Sequence, residues 1–545
     1  MKKLSLICTV VCSLTFVRML QAQNFSHADT LRGSITPERI WWDLVHYDLH
    51  IKVDIEKKYF TGRNTITYHA LESASVMQID LQEPMKITAV EQEGKQIPFT
   101  KEGNVWWIKF NKKVPKGDVH KLTVHFEGQP QESKRPPWDG GVTWKKDSNG
   151  LDFITTTCQG DGASLWWPCK DHMYDEADSM DITINVPKPL MDVSNGRLKS
   201  TTDHGDGTQS FHWQVTNPIN NYGVNINIGD YVHFGEKYKG EKGMLDCDYY
   251  VLRENLKKAK THFREVPRML EAFEHWFGPY PFYEDSYKLV EVPYFGMEHQ
   301  SSVTYGNGYR NGYNRNDVSG TGWGYNFDFI IVHESGHEWF ANNITYKDIA
   351  DMWVHEGFTA YSENLFLDYF YGKDASAEYV IGTRKNIRND KPIIGPYDVN
   401  VSGSGDMYYK GSNVLHTLRA WIDNDEKWRQ ILRGLNSTFY HQTVTTAQIE
   451  QFLAEQSGLN LQAFFNQYLR DIRIPKLEYR VVGTQFSYRW NNVVTGFAMP
   501  VLVQINGSKR KLTPTSNWQN FEIKDSISTF AVDKNYYVES IKLGE

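Results

Sequence analysis

From Val332 to Tyr361 the chain reads VHESGHEWFANNITYKDIADMWVHEGFTAY, with His333 and His337 four residues apart and Glu356 nineteen residues after His337. On a helix, positions i and i+4 are neighbours on one face, so this spacing offers two imidazoles to a single tetrahedral zinc. Such an ion needs a third protein ligand. Glu356 lies on a second helical stretch that the intervening polar turn can fold back against the first. Three protein ligands leave one position open for water, the mark of a catalytic rather than a structural site. The five-residue pattern with three fixed positions also arises by chance on solvated helices, but IIVHESGHEWF is too apolar for a solvent face. Buried imidazoles and carboxylates need partners, and a shared cation supplies them.

The elements that must position these groups fall into three regimes. At 545 residues the chain is too long for one hydrophobic core, and two to four domains are expected. From Trp41 to Phe234, short alternating runs such as YDLHIKVDI and SMDITINVP predict a β-rich domain over about 38–235. From Asn255 the period changes: Leu256, Ala259, Phe263, Val266, Leu270, Phe273 and Phe277 form a helical stripe, kinked at Pro267 and stopped by Gly278-Pro279. Helical patterns dominate to about residue 474, interrupted by SYKLVEVPY, which reads as a strand. Alternating runs return from Pro475, so a small β domain closes the chain over 475–545.

Composition narrows the partners. A net charge of −7 with interspersed charges gives no basic stripe for phosphates, which excludes nucleic acid. At the start, Lys2 and Lys3 precede an apolar run from Leu4 to Val17, and Leu20-Gln21-Ala22 suits cleavage before Gln23. Residues 1–22 therefore read as a signal peptide, implying export to a periplasm or beyond the cell and no membrane span after cleavage. Cys158, Cys169 and Cys247 then remain, enough for at most one disulfide and better read as small buried residues.

The thirty-residue segment resembles the gluzincin zinc aminopeptidases, the family that includes aminopeptidase N and leukotriene hydrolase. Their pattern of HExxH, eighteen residues and Glu is met without a gap. Phe295-Gly-Met-Glu-His299 is similar to their exopeptidase motif in its Met-Glu core, and Tyr408-Tyr-Lys-Gly411 to the segment that supplies a catalytic tyrosine. QGDGASLWWPCKD, from Gln159, resembles a stretch of their N-terminal domain. Phe295 and His299 depart from the family's usual Gly and Asn, and His355 from its Asn. The Gln159 segment fits in two registers, one placing Gln159 and the other Asp161 beside the substrate amine. The sequence ends without the long C-terminal helical domain of larger relatives, so more open access to the metal is expected.

The resemblance implies a multidomain α+β fold: an N-terminal β-rich, saddle-like domain, a thermolysin-like, mostly helical catalytic domain and a small C-terminal β-sandwich. It implies one zinc per chain on His333, His337 and Glu356, with Glu334 as general base, Tyr408 as oxyanion donor and Glu363 as a weaker candidate behind the ligands. Glu298, Gln159, Gly296 and Met297 would bind the substrate, Glu298 through its free α-ammonium. The expected activity is hydrolysis of the N-terminal bond of peptides. A zinc endopeptidase of the same fold and a non-enzymatic peptide-binding module are the alternatives; the first would not need Glu298, and the second would predict a broken ligand set or a missing base.

Overall fold

The computed structural model describes residues 25–523 and 526–544, so the expected leader lies outside the described residues. Strand Trp42–Asp54 shows how the N-terminal part assembles. Its alternating residues Trp42, Leu44, Tyr47, Leu49, Ile51 and Val53 are buried, and a bulge between Leu44 and His46 resets the alternation. It pairs antiparallel with Tyr59–Ala70 and parallel with Ser179–Pro187 inside an eight-stranded sheet. A three-stranded sheet and a four-stranded sheet complete this unit, around an apolar core that also takes in Tyr250, Leu252 and Val290 from the sheet that follows.

The WWPCKD stretch seats the loop that carries Gln159. Lys170 is buried with its ammonium 4.0 Å from the Trp42 ring centre and paired to Asp175. Asp171 caps the Ser164 N–H at 3.0 Å, and its own N–H donates to Asp80 at 3.1 Å. Asp80 in turn holds Arg39 at 2.7 Å, both side chains being buried.

The second unit begins with a hairpin. Strands Tyr231–Gly240 and Gly243–Leu252 join Tyr287–Glu291, Val303–Tyr305 and Gly296–Met297 in a five-stranded sheet. The boundary expected at residue 235 therefore falls inside a strand: the alternation simply continues into the next sheet. SYKLVEVPY supplies the strand Tyr287–Glu291. The expected kinked helix is two helices, Leu256–His262 and Glu265–Phe277. The break precedes Pro267, which lies in the first turn of the second helix, where no intrahelical N–H is required.

Two C-terminal sheets, of four and three strands, face each other through Tyr479 and Phe530, with ring centres 4.1 Å apart. Leu477, Trp490 and Val501 belong to the same apolar cluster as the helices of the second unit, and Tyr468 O–H donates to the Tyr537 carbonyl at 2.8 Å. This module is thus welded to the helices. All three described cysteines are buried and unpaired. Among the described residues no helix is long and apolar enough to cross a membrane.

Removing Arg39 leaves the Asp80 carboxylate buried without its cation. Arg39→Ala should cost about 3–5 kcal/mol, read as a lower denaturation midpoint; an unchanged midpoint would show that the pair is dispensable.

Candidate active site

Helix Phe329–Gly336 starts at Asp328, whose side chain accepts from the Ile330 and Ile331 N–H groups, and every residue in it is buried. Just after His337 the backbone leaves helical geometry, at Phe340 (φ −128°, ψ 76°). The Phe340 carbonyl thereby faces back to His337 Nδ1, at 3.0 Å. Helix Trp353–Tyr371 packs alongside, buried from Trp353 to Leu367, with Glu356, Thr359 and Glu363 on one face. Gly336 permits this approach, since a Cβ there would lie 2.5 Å from Ser362 Oγ.

His333, His337 and Glu356 each offer a ligand atom to one small volume, all within 4.8 Å of one another. His333 Nδ1 donates to Glu363 Oε1 at 2.8 Å, and Glu363 Oε2 accepts from the Tyr379 hydroxyl at 2.6 Å. With both Nδ1 atoms engaged, the Nε2 atoms of His333 and His337 face Glu356 Oε2 at 3.9 and 3.4 Å. That oxygen is buried without a hydrogen-bond partner. In neutral imidazoles these Nε2 atoms are acceptors, so three acceptors converge where no donor stands. The donor set fits zinc: two nitrogens and a carboxylate oxygen, with the imidazoles oriented from behind.

Charge tells the same story. Burial opposes a charged His337, but the Glu298 and Glu356 carboxylates push its pKa up to about 10. Burial likewise opposes ionised Glu356, yet the two imidazoles, His337 above all, hold its carboxyl down at about 2. A divalent cation would meet the same field with both imidazoles neutral. Burial, opposed by His333 and reinforced by Glu298, raises Glu334 to about 7, which suits a carboxylate that takes and returns a proton.

Glu298 is buried beside this cluster, and its Oε1 accepts from Gln159 Nε2 at 2.6 Å and from the Tyr222 hydroxyl at 3.1 Å. The same Gln159 amide nitrogen donates to Glu356 Oε1 at 3.0 Å. Asp161 instead accepts the Gly140 N–H at 2.6 Å, so the gapless register describes the structure. Gly296 and Met297 form the edge strand of the five-stranded sheet. A Cβ on Gly296 would lie 2.5 Å from Ile330 Cγ2 and 3.2 Å from Glu334 Cγ, so the backbone itself faces Glu334.

Tyr408 precedes helix Tyr409–Ile422, and its ring lies 6.1 Å from that of His333. Burial, then the Glu356 and Glu298 carboxylates, raise its pKa, so the phenol stays a protonated donor. Gly411 explains the end of the YYKG segment: its Cβ would stand 2.9 Å from the Gly357 Cα, so two glycines let this helix touch the Glu356 helix. His355 is structural, accepting the Tyr346 N–H on Nε2 at 2.9 Å. His299 is buried, and burial pushes its pKa down to about 3. Sequence reasoning missed Tyr222 and Tyr379, which stand in no recognisable motif, and it left Glu363 undecided.

Gly411→Ala must drive the two helices apart. It should cost about 1–3 kcal/mol and shift Tyr408 from the cluster, while zinc content stays near that of the parent. An unaltered midpoint together with unaltered turnover would mean that the close approach matters to neither.

The family model described as Peptidase M1 N-terminal domain matches residues 44–222, and Peptidase family M1 domain matches residues 262–468. "Probable aminopeptidase 2" of Sulfurisphaera tokodaii is 20% identical over 89% of this chain and 62% of its own length. Endoplasmic reticulum aminopeptidase 1 of Mus musculus is 25% identical over 53% of this chain and 32% of its own. This chain thus spans less than two thirds of either relative. The crystal structure of a mutant M1 zinc metallopeptidase from Deinococcus radiodurans bound to a Tyr-Ser-Ala substrate superposes with a TM-score of 0.66 at 20% identity, covering 80% of this chain and 96% of that one. With both family domains matched in order, the same fold and the gluzincin ligand set on two packed helices, the chain belongs to peptidase family M1.

Proposed function

We propose that the protein is an exported, zinc-dependent aminopeptidase carrying one zinc per chain on His333, His337 and Glu356. The observation that carries the exopeptidase reading is the buried Glu298 carboxylate, which shares a small volume with Glu334 and His337 and is held by Gln159 and Tyr222. A carboxylate this near the ligand set can pair with a substrate's α-ammonium only when the carbonyl one residue away faces the metal. The names of the relatives, aminopeptidases among them, support the same reading.

Zinc, when bound, polarises a carbonyl and makes water acidic enough to attack near neutral pH. The protein's own groups do the rest. Glu298 and Gln159 fix the amine end. Gly296–Met297 is the outermost strand of its sheet, and an extended substrate can pair along its open side. Glu334 takes the proton of the attacking water on a carboxylate oxygen and returns it to the departing amine nitrogen. Tyr408 donates its hydroxyl proton in a hydrogen bond to the oxyanion as it develops.

Export is proposed from Lys2, Lys3, the apolar run and Leu20-Gln21-Ala22; mass spectrometry of the protein recovered outside the cytoplasm should find Gln23 first.

His337→Ala should lose most bound zinc, and full occupancy there would contradict the ligand assignment. Glu334→Gln should keep zinc and fold while kcat collapses. Tyr408→Phe should lower kcat by roughly 10²–10³ with KM little changed. Acetylating the substrate amine removes a charge-assisted contact and strands Glu298, costing about two orders of magnitude or more in kcat/KM. Glu298→Ala should narrow that gap. Equal cleavage of free and acetylated peptides would refute the exopeptidase assignment even with every ligand correct.

A further inference from the structure

Phe295 stands where the family resemblance expects glycine, and its surroundings are specialised. Its ring stacks on Tyr313 at 5.1 Å and meets Trp138 edge-on at 5.8 Å. Tyr313 packs on Phe329, and Phe329 stacks on the ligand His333, each at 5.0 Å. A file of rings therefore runs from the ligand set to Trp138, which is 65% exposed although its indole is large and apolar.

At the outer end of that file lies a pocket of about 430 Å³ between the loop carrying Trp138 and the loop after Tyr305. Trp138, Phe295, Asn307, Arg310, Asn314 and Arg315 line it, with no acidic side chain among its walls. The loop is firmly built. Asn307 is 7% exposed; its Nδ2 lies 2.9 and 2.8 Å from the Arg310 and Gly312 carbonyls and 3.0 Å from Asp328 Oδ1, its two protons shared among the three acceptors, while its Oδ1 accepts the Asn314 N–H at 3.1 Å. Asn314 and Arg315 are both left-handed, with φ of 47° and 65°. An arginine held in that region carries backbone strain of the kind found at ligand clamps.

The direction of the substrate connects this pocket to the reaction. A peptide with its amine at Glu298 and its scissile carbonyl beside Glu334 runs antiparallel to the edge strand, past Met297 and Gly296 and on to Phe295. At about 3.3 Å per residue, the end of a three-residue peptide arrives at Phe295. We propose that this pocket is a leaving-side subsite for short peptides, in which Trp138 and Phe295 pack an aromatic or large apolar C-terminal side chain and Arg310 and Arg315 bind the free C-terminal carboxylate. The proposal rests on the aminopeptidase reading, which supplies the direction of the chain. Guanidinium forks match carboxylates in two-point hydrogen bonds, and an exposed indole beside them offers the apolar wall.

The test compares Leu-Gly-Phe as free acid, the same peptide as C-terminal amide, and leucine p-nitroanilide, which ends short of the pocket, on the zinc-loaded full chain. The acid should exceed the amide in kcat/KM by roughly tenfold or more. In the double variant Arg310→Ala, Arg315→Ala that ratio should fall close to one while p-nitroanilide turnover is unchanged. Trp138→Ala should weaken Leu-Gly-Phe relative to Leu-Gly-Gly. Equal rates for acid and amide, or a preference that survives in the double variant, would overturn the subsite. If the wild type cleaves neither the peptides nor the anilide, the aminopeptidase reading fails, and the subsite is judged by equilibrium binding to zinc-loaded Glu334→Gln. Tighter binding of the acid than of the amide, lost in the double variant background, upholds it; equal binding overturns it.

Discussion

Like-charge repulsion among buried carboxylates is the constraint that the rest of this structure answers. Glu298, Glu334, Glu356 and Glu363 are all within a tenth of full burial, crowded around two imidazoles. Each unscreened charge in such a place costs several kcal/mol, so each oxygen needs a donor. Glu363 has His333 and Tyr379, and Glu298 has Gln159 and Tyr222. Glu356 has Gln159 on one oxygen, while the other faces only imidazole nitrogens. Left without a donor are Glu334 and the point on which the acceptor atoms of His333, His337 and Glu356 converge. The helices come close through Gly336 on one side and through Gly357 with Gly411 on the other, which brings side chains from three helices to that one point.

The sequence made the His333, His337 and Glu356 cluster legible because helical spacing is a geometric statement: His333 and His337 must share a face, and an apolar flank says that the face is inward. Glu298 and Tyr408 were legible through short segments whose glycines have steric reasons, Gly296 against Glu334 and Gly411 against Gly357. Tyr222 and Tyr379 were not, since a hydroxyl that satisfies a distant carboxylate leaves no local pattern among thirty-one tyrosines. The β, helical and β regimes emerge in the structure in that order, but alternation alone marks strands without saying which sheet they join, so the hairpin from Tyr231 passed for part of the preceding domain. Pro267 signalled a disturbance in the helical stripe, and the disturbance fell a few residues earlier, where the ring could be accommodated in a first turn.

The departures Phe295 and His299 part ways in the structure. His299 is a neutral, buried packing residue, whereas Phe295 extends a ring stack outward from His333. A substitution inside a motif can thus be silent at one position and redirect the neighbouring surface at another, depending on whether the side chain faces the core or the cleft.

The bridge made by Gln159 has a mechanical consequence. The N-terminal unit centres on one core, whereas the helices around Glu356 and the C-terminal sandwich share another. Gln159 belongs to the first and both of its carboxylate partners to the second. At the candidate site the two units therefore touch through a polar contact, while away from it Tyr250, Leu252 and Val290 carry the first unit's apolar core across the seam. Any shift of one unit against the other would pull the amide from Glu298 and Glu356, so the geometry of this cluster depends on how the two units are seated and not on the integrity of either alone.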